Sequence, residues 1–386
     1  MKRENSIDIV RGIVMIIMAL DHVRDLMHID SITQNPTDFA TTTPLLFFTR
    51  WITHLCAPTF VFLAGTSVYL SLKNKNNVQE ARQHLVKRGL WLLVLEFTVV
   101  NFAIFFDIGF HTLLFEVIAA IGFGFVILGL VLKTPPKRLG IIVLFIIFCH
   151  NLLPLIPFAE GSVIKAVLTP LFSPAAIPLG GKTFIMGYPP IPWLGIMLIG
   201  YAFGKYFEKE QEERKKSFLK LGLGVLVLFT AIRFINIYGD PVPWSVQKEP
   251  VFTFLSFINI TKYAPSLLFC LLTLGIMILL LAVAEQFNDR IKKVTSVYGK
   301  VPLFYFVVHF YLIHILTLAM LFFQGFDSSQ FEFSKGTFGR PEGIESGLPL
   351  WAVYLIWVSV VVLLYKPCEW FGKYKAKNNY WWLRYV

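Results

Sequence analysis

The chain has 386 residues, 56% of them hydrophobic and only 15% charged, with aromatics at 16%. Soluble domains carry about 25% charged residues, so a water-soluble enzyme, a nucleic-acid-binding arm and a disordered chain are excluded. A net charge of +11 is then the mark of cation-rich loops on one membrane face rather than of a nucleic-acid partner.

A helix needs roughly 20 mostly apolar residues to cross a bilayer. That length predicts an all-α, polytopic membrane protein of about ten transmembrane helices. The segments are 7–28, 44–72, 88–106, 112–132, 139–157, 190–207, 217–238, 264–286, 300–324 and 348–370. The first carries Asp8, Arg11, Asp21 and His22 and lacks a small-residue cleavage site, so it is expected to be retained as a span. Residues 158–189 are rich in Pro and Gly, and their apolar stretch Val163–Phe172 is too short to span. Gly200 and Gly204 on the sixth segment form a GxxxG pattern expected to pack closely against another helix. The chain reads as one domain, 1–386, with no short-period repeat.

The loops assign sides. Lys2 and Arg3 fall in one set, with the cations of 73–88, 133–138, 205–220, 290–300 and 366–384, giving 25 in all. The alternate set holds six: Lys165, Lys182, Lys248, Lys262, Lys335 and Arg340. That asymmetry places both termini in the cytoplasm and requires an even number of spans. Cys56, Cys149, Cys270 and Cys368 lie in apolar runs without CxxC spacing, and read as buried free thiols.

An ionisable side chain within the bilayer costs about 2.5–3.5 kcal/mol on insertion scales, so each one needs a reason. Arg11 and His22 are eleven residues apart, about 20° past three full turns, so they share a helix face roughly 16 Å apart along the axis. Asp8 is spaced to pair with Arg11, and Asp21 with Arg24. On the second segment Arg50 and His54 are i, i+4 neighbours. Pro58 removes the backbone donor that would bond the His54 carbonyl, which predicts a kink there. Glu116, His150, Asn151, Arg233, Asn236 and His314 map to the outer halves of their segments, and His309 and Glu96 could extend a polar route inward. Glu96 has the alternative reading of a buried protonated carboxyl with a structural role only. GxxxxGK[ST], HExxH and GxSxG are all absent, and no metal-ligand spacing is present.

The segments SIDIVRG, DHVRD, THLCAPTFVFLAGTS, YPPIPWLGIMLIGYAFG, GKVPLFYFVVHFYLIH and YKPCEWF with the terminal YWWLRY together resemble the bacterial DUF1624 proteins. Those are related to the catalytic domain of heparan-α-glucosaminide N-acetyltransferase. The resemblance runs from residue 6 to about residue 385. The Arg11-x10-His22 spacing also resembles that of the membrane acyltransferase-3 group. The resemblance implies a multi-pass acyltransferase of the bacterial cytoplasmic (inner) membrane. It would move an acyl group, typically acetyl, from cytoplasmic acetyl-CoA to an extracytoplasmic acceptor such as a sugar or envelope glycan. The expected partners are the lipid bilayer, acyl-CoA and a saccharide; a homodimer is open, and neither a metal nor a nucleic acid is expected.

Acyl transfer from a thioester requires a base and stabilisation of an oxyanion. His22 is the leading base, with Asp21 or another carboxylate orienting it. His54 is the second candidate, as base or as an acetyl-carrying relay. His309 corresponds to a histidine of the related late helix. Arg11 and Arg50 could polarise the thioester or bind coenzyme A phosphates. One departure is visible: ungapped alignment on Pro58 sets Pro44, not His54, opposite the heparan enzyme's catalytic histidine. The rival class is a proton-coupled secondary transporter, suggested by the same ionisable groups and proline-broken helix.

The cation asymmetry generates the first prediction. Topology reporters fused at the C-terminus and inserted near Phe331 should report opposite sides of the membrane; the same side for both would exclude the ten-span arrangement.

Overall fold

The computed structural model describes residues 5–73, 77–159 and 161–385. In chain order the helices are α1 (Asn5–Met27), α2 (Pro44–Trp51), α3 (Cys56–Lys73), α4 (Val78–Leu95), α5 (Asn101–Phe105), α6 (Val117–Val131), α7 (Pro136–Cys149) and α8 (Val163–Phe172). They continue as α9 (Pro190–Phe203), α10 (Gln211–Ile235), α11 (Pro250–Ile258), α12 (Leu267–Val283), α13 (Asp289–Gly299), α14 (Pro302–Phe323) and α15 (Leu350–Lys377).

Among the described residues, six helical stretches are long and apolar enough to cross a membrane: Pro44–Lys73, Val78–Phe105, Gln211–Ile235, Leu267–Gln286, Pro302–Phe323 and Leu350–Lys377. The chain is a multi-pass membrane protein. The remaining predicted segments are helical but fall outside that group for identifiable reasons. Helix α1 is 23 residues long but carries Asp8, Arg11, Asp21, Arg24 and Asp25. Helices α6, α7 and α9 are only 14 or 15 residues long.

The second predicted segment is broken as its proline requires. A 3-10 turn, Ile52–Leu55, separates α2 from α3 just before Pro58. The short apolar stretch Val163–Phe172 forms α8, a helix with no buried residue.

The all-α expectation needs correction. Strands β1 (Thr112–Phe115), β2 (Ala175–Leu179) and β3 (Lys182–Met186) form a small sheet in the order β1-β3-β2. β2 and β3 are an antiparallel hairpin closed by Gly180 and Gly181, whose φ values of 54° and 82° suit a two-residue turn that only glycine adopts cheaply. β1 pairs in parallel with β3. Predicted segment 112–132 therefore begins as a strand, and its helix starts only after Glu116, an N-cap with extended backbone.

Helix α1 is the axis of the bundle. It packs against α3, α12, α13, α14 and α15, and 16 of its 23 residues are buried. Its approach to α13 is a backbone contact made possible by two glycines. A Cβ on Gly12 would stand 1.8 Å from the Thr295 carbonyl oxygen, and one on Gly299 would stand 1.9 Å from that of Asp8. Helices α3 and α9 meet in the same way. A Cβ on Gly200 would fall 2.0 Å from the Phe62 carbonyl oxygen, and Thr66 donates to the Gly200 carbonyl at 2.8 Å. Gly204 faces Tyr69, so both members of the GxxxG pattern serve close packing.

Gly12→Ala should therefore separate α1 from α13. The expected cost is about 1–3 kcal/mol, read as a lowered thermal unfolding temperature in detergent. Gly224→Ala, where a Cβ meets nothing within 4 Å, should be neutral in the same assay.

Candidate functional site

A cavity of about 330 Å³ opens between α1, α3, α4, α6 and the start of α14. Arg11, His84, Arg88, Lys300 and Lys375 line it, and no acidic side chain does. Four of these five come from segments on the cation-rich side of the chain. The other walls are apolar and include Met15, Phe60, Leu85, Phe125 and Phe306. Arg11 is held from three directions. It donates to the Gly299 carbonyl at 3.2 Å and to Ser67 Oγ at 3.1 Å, and lies 3.5 Å from Asp8. The spacing-based Asp8–Arg11 pair is therefore present.

Further along the same face of α1 stands His22, as the helical spacing requires. Its Nδ1 lies 2.6 Å from Nε2 of His309 on α14. The two rings meet edge to edge with centroids 4.9 Å apart and planes 23° from parallel, and Phe310 packs on His22 at 4.1 Å. His309 is fully buried; its Nδ1 faces the Tyr305 carbonyl at 2.9 Å, and Tyr305 stacks on it at 5.2 Å. Phe306, which lines the cavity, sits edge-on to His22 with centroids 6.1 Å apart. Phe306 thus separates the basic cavity from His22.

Asp21 is not placed to orient His22. Its Oδ1 takes Arg24 at 2.6 Å and its Oδ2 takes Arg50 at 2.7 Å. Arg24 also reaches Asp25 at 2.6 Å, and Arg50 donates to Thr53 Oγ1 at 3.1 Å. Asp21 holds two guanidiniums, so the first and second predicted segments are fastened through it. Arg50 is accordingly in this cluster and not in the wall of the basic cavity.

His54 occupies the 3-10 turn and is buried. It packs edge-on to Phe269 at 5.6 Å, and its Nδ1 has no hydrogen-bond partner among the described residues. Arg50, Lys262, Asp21 and Arg24 are the charged groups near it.

Lys262 is the residue that sequence reasoning missed. It comes from a loop between α11 and α12, yet is buried. Its ammonium lies over the rings of Tyr188 and Tyr263, at 5.8 and 5.0 Å. Tyr188 packs on Trp193 at 4.6 Å, and Trp193 in turn meets Phe269 beside His54. The Nε1 of Trp193 and Oε2 of Glu116 are, like His54 Nδ1, buried without a hydrogen-bond partner among the described residues. No local pattern marks Lys262 or Tyr188, because what joins them is tertiary contact alone.

Other intramembrane polar side chains bond backbone groups away from His22. Glu96 accepts from the backbone N–H groups of Glu116 at 3.2 Å and Ala119 at 2.8 Å, capping α6 from a neighbouring helix; it does not line the cavity. Arg233 donates to the carbonyls of Phe257, Val242, Ser256 and Asn259 at 2.7–3.0 Å. Asn151 accepts from the Leu267 N–H at 3.1 Å, and Asn236 bonds the backbone of Trp244. His150 bridges to the Pro265 carbonyl at 2.9 Å, and His314 stacks on Phe106 at 4.1 Å. These groups tie loops to helix ends rather than converging with His22.

Comparison with known proteins places the site in context. The family described as heparan-alpha-glucosaminide N-acetyltransferase, catalytic, matches residues 3–235. No curated protein matches the chain. The matched span contains Arg11, Asp21, His22, Arg50 and His54, whereas Lys262, Lys300, Phe306 and His309 lie beyond it.

The Asp21 cluster predicts a stability effect. Asp21→Asn takes the carboxylate from Arg50 and leaves Arg24 with Asp25 alone, and breaking such a pair costs about 3–5 kcal/mol. Thermal unfolding in detergent should show the loss, and the double variant Asp21→Asn/Arg50→Met should recover part of it. Additive losses would show that Asp21 and Arg50 are energetically independent.

Proposed function

Because the chain belongs to the heparan-alpha-glucosaminide N-acetyltransferase catalytic family, we propose that it carries acetyl groups from cytoplasmic acetyl-CoA to an extracytoplasmic saccharide, with His22 as the base. Membership implies a membrane N-acetyltransferase that uses acetyl-CoA. The direction, the acceptor and the residue roles are our reading. Ten spans, with both termini in the cytoplasm of a bacterial inner membrane, complete it.

The observation that carries the reading is that α1 runs from a basic cavity at Arg11 to the histidine pair, with a buried aromatic cluster around Lys262 nearby. The basic cavity suits a polyanionic donor. Arg11, Arg88, Lys300 and Lys375 offer charge-assisted bonds to phosphates, while the apolar walls suit the thiol-bearing arm. Arg11 and His22 lie on one helix face about 16 Å apart, so an extended arm anchored near Arg11 brings its thioester toward His22. On the other side, the Tyr188–Trp193–Tyr263 aromatics, Lys262 and the unpartnered atoms of His54, Trp193 and Glu116 suit a ligand with apolar faces and many hydroxyls.

In the direct reaction, His22 takes the proton from the acceptor nitrogen or oxygen as that atom attacks the thioester carbonyl. The carbon–sulfur bond then breaks, and the coenzyme A thiolate leaves with the proton held by His22. His54, with an unpartnered nitrogen, is the alternative site if the acetyl group rests on the enzyme between steps. A proton-coupled transporter would need ionisable groups along the route but no basic cavity beside the helix that carries the histidine.

His22→Ala should slow thiol release from acetyl-CoA, with a glucosaminide as acceptor, by about 10²–10⁴-fold while leaving coenzyme A binding intact. Arg88→Ala/Lys300→Ala should instead weaken coenzyme A binding by about 10-fold or more. Near-normal turnover in well-folded His22→Ala protein would remove His22 from the chemistry.

A further inference from the structure

The histidine pair contains more information than proximity. His309 Nδ1 lies 2.9 Å from the Tyr305 carbonyl oxygen. A carbonyl only accepts, so that nitrogen must carry a proton. In a neutral ring the proton on Nδ1 leaves Nε2 as an acceptor. That Nε2 is the atom 2.6 Å from His22 Nδ1, so the proton between them belongs to His22 Nδ1. His22 Nε2 is then left bare. The chain of bonds therefore runs from His22 Nδ1–H to His309 Nε2, and from His309 Nδ1–H to the Tyr305 carbonyl.

We infer that His309 is a positioning residue that fixes His22 in its Nδ1–H tautomer, making Nε2 the reacting nitrogen. The inference of a reactive role rests on the acetyl-transfer reading above; the tautomer does not. Packing enforces the arrangement. His309 is wholly buried and stacked on Tyr305, so its ring cannot turn to offer the other nitrogen. The ring of Phe310 stacks on His22 at 4.1 Å and Phe306 meets it edge-on, so its plane is set as well. His22 itself is only partly buried, and it adjoins the cavity through Phe306.

The arrangement also accounts for the fate of the proton. When Nε2 removes the acceptor proton, His22 becomes an imidazolium with both nitrogens protonated. Its Nδ1–H then makes a charge-assisted bond to His309 Nε2, and the Tyr305 carbonyl stabilises the far end of the chain. When the thiolate leaves, the same Nε2 returns the proton, forming free coenzyme A thiol. Atoms and charge balance without any further group. His309 lies outside the matched family region, so this partner is supplied by the second half of the chain.

The test is nitrogen NMR on protein labelled with ¹⁵N-histidine, the His22 signals being those that vanish in His22→Asn. Wild type should show a protonated Nδ1 and a bare Nε2. In His309→Leu, the His22 signals should move toward the Nε2–H tautomer, and kcat should fall by about 10²-fold or more with the KM for acetyl-CoA unchanged. His309→Gln, whose side-chain oxygen can accept from His22, should restore most of kcat and the Nδ1–H signal. A bare Nδ1 in wild type would overturn the assignment, as would full activity in His309→Leu. An Nδ1–H signal in protein that transfers no acetyl group would support the tautomer and overturn the transfer reading alone.

Discussion

Charge carried into the membrane must be paired, and the pairing on helix α1 organises the rest of the molecule. The helix brings Asp8, Arg11, Asp21, His22, Arg24 and Asp25 into a bundle of apolar helices. At about 2.5–3.5 kcal/mol per unpaired charge, none can remain idle. Arg11 is met by Asp8, Ser67 and the Gly299 carbonyl, and Asp21 is met by Arg24 and Arg50. His22 finds His309. Asp8 and Arg24 are on α1 itself, but Arg50, Ser67, the Gly299 carbonyl and His309 come from α2, α3, α13 and α14, so satisfying α1 also sets where those helices stand. The glycine contacts at Gly12 and Gly299 bring backbones close enough for the Arg11 bond to the Gly299 carbonyl to form.

The same pairing separates two kinds of polar residue. Both carboxylate oxygens of Asp21 are taken by guanidiniums, which stabilises the fold and leaves that carboxylate committed. His22, His54, Glu116 and Trp193 differ. His22 uses one nitrogen on His309, and the other three hold buried polar atoms without hydrogen-bond partners among the described residues. Buried polar atoms left so cost about 1–3 kcal/mol each, a cost that a ligand can remove. Those of His54, Glu116 and Trp193 lie around the Lys262 aromatic cluster, where the acceptor is proposed to bind.

Much of this was legible from local spacing. The shared face of Arg11 and His22, the Asp8–Arg11 pair, the break before Pro58, the short helix Val163–Phe172 and the close packing at Gly200 all follow from helical periodicity or backbone sterics. What escaped depends on which helix stands opposite. Asp21 sits beside His22 in sequence, yet adjacent helical residues point about 100° apart, and its partners proved to be guanidiniums. Glu96 looked like part of a polar route because its burial was evident, but its function as a cap for α6 requires knowing that α6 begins beside it. The small sheet was hidden because Thr112–Phe115 is apolar and runs directly into a helix, so composition could not separate strand from span. Lys262 was counted only as a loop cation, since its aromatic neighbours come from distant segments.

The central claim is that donor and acceptor approach from opposite faces and meet at the His22–His309 pair. It is tested most directly with sealed membrane vesicles of defined orientation and acetyl-CoA labelled in the acetyl group. Inside-out vesicles given the donor externally should transfer label to glycan on their interior face. Transfer confined to right-side-out vesicles, which present the opposite face to the donor, would contradict the account.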